Sequence, residues 1–200
     1  NIIRLKKDLK VKKNLNIYYA KLFYGNGTAM DVKKSKWRDK KLGVISDLLP
    51  HLIDILLFTL GHKKITNLKI HKVSFFENKS FEHAILSFLY SNIYIEMEIS
   101  LCSWKNNFKY DLYSNKFSLH IESLNKWGSS SFNKFLRKIP SGVPKTKSIK
   151  SLKTKDPTWT QEHLFLMKNV NSNNTAINEE NRIRDLIISK LLDKIKTKLP

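Results

Sequence analysis

The sequence predicts an α+β fold: an open, mostly antiparallel sheet with helices packed on one face. Three observations predict it. Residues alternate with a period of two through Ala84 to Tyr90 and Ile93 to Leu101, where Ile93, Ile95, Met97, Ile99 and Leu101 interleave with Tyr94, Glu96, Glu98 and Ser100. Strand-like runs at Ile65 to Phe76, Phe108 to Tyr113 and Phe117 to Ile121 flank this pair with no helix between them, which favours antiparallel pairing over βαβ units. Helical periodicity is found outside this meander, in the first quarter of the chain and toward its end.

Taken in order, the chain opens on Asn1 and a basic, half-helical segment, Ile2 to Lys13, so it reads as a piece of something longer. Ile17 to Met30 reads as a strand running into a turn at Tyr24-Gly25-Asn26-Gly27. Between Gly43 and Gly61 the apolar residues Val44, Ile45, Leu48, Leu49, Leu52, Ile53, Leu56 and Leu57 predict one buried helix with a glycine stop. Pro50 must fall in its first turn, where a missing N–H forfeits little, so the helix should start at Ser46 or Asp47. Five or six strands follow from the meander and the first strand, with Ser91-Asn92 as a hairpin link. After Trp127 the chain turns polar, and Ile139-Pro140-Ser141-Gly142-Val143-Pro144 followed by lysines predicts a long loop. Asp156 caps a short helix with Pro157 at its first position, running to about Val170. The last element is an amphipathic helix carrying Ile183, Leu186, Ile187, Leu191 and Ile195.

Composition bounds the function. Two hundred residues suit one domain, residues 1–200. The balance of 37 Lys plus Arg against 17 Asp plus Glu gives a formal charge of +20, which invites a nucleic-acid partner through counterion release. Only five of those residues are arginine, the residue whose planar fork reads phosphate and base edges, and the lysines are spread along the whole chain. Trp37 is the only aromatic among the densest basic stretches, too few for base stacking, so codon bias accounts for the charge and a nucleic-acid partner is not expected. The apolar run Ile55 to Leu60 is far shorter than a bilayer requires, so no membrane partner is expected. A single cysteine, Cys102, fits a reducing compartment, with the cytoplasm as the default. The histidines other than His51 are scattered singly and give no zinc signature, so no metal is expected.

The informative segment is Gly43-Val44-Ile45-Ser46-Asp47-Leu48-Leu49-Pro50-His51-Leu52-Ile53-Asp54. On one helix Asp47, His51 and Asp54 would share a stripe on an otherwise apolar cylinder. Burying charge without partners is costly, so such a stripe implies mutual hydrogen bonding or a pocket that uses it. An imidazole with an ordinary pKa of about 6.5 can take and return a hydroxyl proton near neutrality, and a carboxylate one turn earlier can orient a polyol.

Together with Tyr24-Gly25-Asn26-Gly27-Thr28-Ala29, Ser35-Lys36-Trp37-Arg38-Asp39 and Gly61, this segment resembles the C-terminal domain of the glucose-fructose oxidoreductase / inositol dehydrogenase (Gfo/Idh/MocA) family. The stretch from Trp104 to Gly128, Pro140-Ser141-Gly142-Val143-Pro144 and Asp156-Pro157-Thr158-Trp159 extend the resemblance over nearly the whole chain. The resemblance implies an NAD- or NADP-dependent oxidoreductase acting on a sugar, cyclitol or sugar derivative. His51 would be the general acid/base and Asp47 would orient substrate, with Tyr24, Trp37, Arg38 and Asp54 as substrate-binding residues. For Asp54 a structural role is the stronger of the two readings, and for Trp37 and Arg38 packing and solvation of a loop weigh equally. The cofactor would be bound by an N-terminal Rossmann domain, in cis or in trans, whose Glu-Lys-Pro lysine completes the site. Homo-oligomers would form through the sheet face.

Two departures qualify what this chain does alone. It contains neither a Gly-x-Gly-x-x-Gly after a strand nor a Glu-Lys-Pro. Only Gly43 precedes Asp47 where relatives carry several glycines, and Leu49 replaces a glycine common before the histidine. A non-catalytic basic binding module for nucleic acid and an inactive remnant of the oxidoreductase are the alternative readings.

Overall fold

A computed structural model describes residues 1–10, 14–35, 38–39, 42–171 and 175–199. The elements run α1 (Ile2–Lys10), β1 (Ile17–Gly25), α2 (Ala29–Lys33), α3 (Val44–Asp47), α4 (Leu49–Leu60), β2 (Ile65–Ser74), β3 (His83–Tyr90) and β4 (Ile93–Ser100). They continue with β5 (Asn107–Ser114), β6 (Phe117–Glu122), β7 (Ser130–Leu136), β8 (Thr146–Ser151), α5 (Thr158–Asn171) and α6 (Thr175–Lys196).

The strands form one eight-stranded sheet in the order β2-β3-β4-β1-β5-β6-β7-β8. Every neighbouring pair is antiparallel except β1 and β4, which run parallel and so need the long crossover through α2, α3, α4 and the β2–β3 hairpin. The expected α+β class with a mostly antiparallel sheet is what the chain adopts. Burial alternates along β4 from Ile93 to Ile99, with Ile93, Ile95, Met97 and Ile99 buried and Tyr94, Glu96 and Glu98 more open. The buried face packs on α4, which presents Leu49, Leu52, Ile53, Leu56 and Leu57 to the core, and α1 and α6 flank α4. Roughly 1.5–3 kcal/mol per fully buried side chain of this size makes that layer the main source of stability.

The loop predicted at Ile139 to Pro144 is present, but the polar chain around it holds two further strands that the pattern did not predict, β7 before it and β8 on the lysine-rich stretch after it. In β7 the helix-covered face holds Ser130, Phe132 and Lys134, while Phe135 turns the other way, so apolar residues do not alternate cleanly. Lys134 can point inward because Asp8 of α1 accepts its ammonium at 2.8 Å and the Phe117 ring lies 4.5 Å beneath. β8 is an edge strand, Thr-Lys-Ser-Ile-Lys-Ser, in which only Ile149 packs on the core, and edge lysines are a usual guard against further pairing.

The single helix predicted to run from Ser46 or Asp47 to Gly61 is two helices, the first starting earlier, at Val44, with a break at Leu48 (φ −102°, ψ −31°). The cause is Pro50, which cannot donate to the Ser46 carbonyl and whose ring crowds it, so the ladder that ends with Leu48 N–H on Val44 O must restart. Pro50 then occupies the first turn of α4, and Gly61 (φ 71°) ends that helix, both as the pattern predicts.

Candidate active site

Asp47 enters the site through the geometry of Gly43. This residue has φ 39° and ψ −118°, a conformation open to glycine, and a Cβ there would stand 2.2 Å from the Phe81 carbonyl oxygen. That carbonyl accepts the Val44 N–H at 2.8 Å and so starts α3. The loop presenting Phe81 is fixed in turn by Glu82, a fully buried carboxylate that accepts the N–H groups of Phe76, Glu77 and Asn78 at 2.5, 2.6 and 3.1 Å. Asp39 adds a tether, accepting the Ser80 N–H at 2.9 Å. A hydrogen-bonded frame thus sets where α3 begins and where its last residue, Asp47, stands.

Tyr24 is the element that gathers the predicted residues. It lies near the end of β1, on the same face as the buried Ala20 and Leu22, and its ring centroid is 5.9 Å from His51 and 5.4 Å from Trp127. Burial raises the Tyr24 phenol above its ordinary pKa and the negative charge of Asp47 raises it further, so the hydroxyl stays protonated at neutral pH as a donor. His51 is exposed at the start of α4, and among the described residues no hydrogen bond or ion pair engages its ring.

Arg38 joins the same group, donating to Asp47 at 2.8 Å with both side chains about a third exposed. A pair this open contributes on the order of 1 kcal/mol or less, so another hydrogen-bond donor can compete for the carboxylate at small cost. Asp54 is drawn elsewhere: its carboxylate accepts a hydrogen bond from Arg184 of α6, which ties the two helices together. The predicted stripe of three is therefore distributed, Asp47 to Arg38 and Tyr24, His51 to Tyr24, and Asp54 to Arg184. Trp37 lies outside the described residues. Trp127 was not anticipated as a site residue. Its signal in the sequence is a lone tryptophan in a polar stretch between strands.

The open sheet face carries a second polar group, in which Asp111 bonds His120 Nδ1 at 2.7 Å and Ser118 lies 2.9 Å from His120 Nε2. The order matches a Ser-His-Asp triad, yet Ser118 is paired with Tyr113 of β5 on one side and Phe135 of β7 on the other, so the backbone there is committed to the sheet rather than forming an oxyanion hole. Among the described residues no cluster of three or more His, Cys, Asp or Glu side chains is placed to hold a metal ion. No helix among the described residues is long and apolar enough to cross a membrane.

No protein-family model matches the sequence, and no curated protein matches it. Solved structures do. A dehydrogenase (MviM) from Clostridium difficile is similar over 98% of this chain and 59% of its own, with a TM-score of 0.62 and 13% identity. Levoglucosan dehydrogenase in complex with NADH and levoglucosan is similar over 74% of this chain and 43% of its own, with a TM-score of 0.59 and 12% identity. A putative NADPH-dependent oxidoreductase from Desulfitobacterium hafniense is similar over 77% and 46%, with a TM-score of 0.58 and 15% identity. These neighbours are oxidoreductases of the Gfo/Idh/MocA type, and this chain has their fold, in agreement with the resemblance read from the sequence. It spans about half the length of each.

Proposed function

We propose that this chain is the substrate-binding and catalytic half of an NAD- or NADP-dependent oxidoreductase acting on a sugar, cyclitol or sugar derivative. The observation that carries the reading is the grouping of Tyr24, His51, Asp47 and Trp127, with His51 exposed, on the fold of dehydrogenases solved with NADH. The chain's own residues do not fit a dinucleotide, because it has no glycine-rich phosphate turn after a strand and its sheet is not a parallel βαβ array. The cofactor, held by a Rossmann half in cis or in trans, supplies the hydride acceptor or donor. What this chain supplies is proton transfer and orientation. His51 takes the proton from the reacting hydroxyl, Asp47 accepts a hydrogen bond from a neighbouring hydroxyl, and protonated Tyr24 donates to a substrate oxygen. Arg38 holds Asp47 until substrate replaces it, and Trp127 offers an aromatic face to the sugar ring. Trp37 remains a substrate-binding candidate on its sequence position. Asp54 acts as a structural residue through Arg184.

Two surfaces suit the assembly this reading requires. Helix α5 exposes Trp159, Leu164, Phe165, Leu166, Met167 and Val170, with Trp159 at 80% exposure, an apolar surface of the kind a second domain covers. The open sheet face, with the Tyr19–Tyr113 stack at 4.3 Å and the Lys21–Glu96 pair at 3.0 Å, is the surface for homo-oligomer contacts. The reading is tested in the assembled enzyme. His51→Ala and Asp47→Ala are each expected to lower kcat by roughly two orders of magnitude, the scale of general acid-base groups. Near-normal turnover in both variants would overturn it.

A further inference from the structure

At the end of α4 remote from His51, helices α1, α4 and α6 and the start of β1 border a half-open cleft of about 490 Å³. This is within the range of roughly 300–1,000 Å³ that small-molecule sites occupy. Its apolar wall includes Leu9, Ile17 and Leu57. Lys6, Lys10, Lys63 and Arg184 line it as well, against the carboxylates of Glu180 in the lining and of Asp54 behind Arg184, which leaves the cleft net positive. The carbonyl end of α4 adds roughly half a negative charge, too little to reverse that balance.

Lysines are spread over the whole surface, so their presence alone says little. Arg184 is different. Its side chain is only 19% exposed, and a guanidinium is removed from water at a cost that partners must offset. One terminal nitrogen donates to Asp54, which fixes the plane of the group, while Nε is buried with no partner among the described residues. A pre-oriented guanidinium at the wall of a cleft lined by both polar and apolar groups is suited to an anionic head group, which its terminal nitrogens can meet with charge-assisted hydrogen bonds.

We propose that this cleft binds a small amphipathic anion, a single carboxylate or phosphate head on a compact apolar body. The head sits at Arg184 and Lys63, and the body lies against Leu9, Ile17 and Leu57. The site is separate from the Tyr24–His51 group and stands whether or not the chain serves an oxidoreductase.

Calorimetric titration of the whole chain at low salt tests this with four probes: octanoate, octyl phosphate, inorganic phosphate and the uncharged octyl glucoside. Octanoate, octyl phosphate or both are expected to bind one per chain, at least tenfold tighter than either control, and the tighter of the two identifies the head group. Arg184→Gln should weaken binding tenfold or more and Lys63→Gln about threefold, while Lys109→Gln on the open sheet face leaves it unchanged. Lys63 is an exposed side chain, so that variant keeps the test valid if Arg184→Gln fails to fold. The proposal is overturned if neither amphipathic anion binds, if inorganic phosphate or octyl glucoside binds as tightly, or if Lys109→Gln weakens binding as much as Lys63→Gln.

Discussion

Gly43→Ala puts the frame beneath the site to its most stringent test. The new Cβ would lie 2.2 Å from the Phe81 carbonyl oxygen and 2.8 Å from Ser80 Cβ, at a φ of 39° that L side chains rarely adopt. The positive φ costs about 1–2 kcal/mol, and relieving the overlap costs a further 1–3 kcal/mol. Moving Phe81 away weakens the 2.8 Å bond from Val44 N–H, worth about 1 kcal/mol. The total is about 3–6 kcal/mol, which for a chain of this size lowers the melting temperature by roughly 10–15 °C. Thermal and urea unfolding followed by circular dichroism measure the loss. Because the strain falls at the start of α3, amide shifts of residues 44–51 should change more than those of β5 to β8 in the same variant. A melting temperature within 2–3 °C of the wild-type value, roughly 1 kcal/mol, would refute the argument.

Three further outcomes follow from other contacts. Glu82→Ala leaves three N–H groups of the 76–78 turn without their acceptor and should cost about 3–5 kcal/mol, whereas Glu82→Gln, which keeps an acceptor oxygen, should cost clearly less; equal melting curves for the two would contradict the role assigned to the carboxylate. Burial raises the phenols of Tyr110 and Tyr90, the latter to about 12, so stability should hold up to pH 10 and fall as pH rises toward 12. A double Tyr90→Phe/Tyr110→Phe variant should lose most of that alkaline slope, which denaturant titrations at stepped pH would show. Leu166→Asp on exposed α5 should leave the melting temperature of this chain within about 1 °C yet weaken assembly with the dinucleotide-binding half at least tenfold, measured by analytical ultracentrifugation.

The fold was legible wherever one physical signal dominated. Period-two alternation gave β3 and β4 and their two-residue link at Ser91-Asn92, and the Asp156-Pro157 start gave α5, where Asp156 accepts the Thr158 N–H at 3.0 Å. β7 and β8 were missed because their inward positions include Lys134, satisfied only by the distant Asp8, and because an edge strand needs little apolar content. The site was legible as residue types and not as an arrangement. A strict helical wheel places Asp47, His51 and Asp54 on one stripe, but Pro50 breaks the helix, and Arg184, 130 residues from Asp54, takes that carboxylate. No local spacing encodes a partner so remote. Tyr24, by contrast, is singled out by its motif, and its contact with Trp127 emerges only when the ends of β1 and β6 are brought together by the sheet.

The central claim is that this chain presents a reacting alcohol to a nicotinamide held by a second half. Its most direct test supplies sugars and cyclitols deuterated at the carbinol carbon, with NAD or NADP, to the protein assembled with its dinucleotide-binding half, and reads the reduced cofactor by mass spectrometry. The account expects one deuterium on the nicotinamide ring with at least one substrate of the panel, and loss of that transfer by roughly a hundredfold in His51→Ala. An assembly that binds the cofactor yet transfers no deuterium from any member of the panel would contradict it.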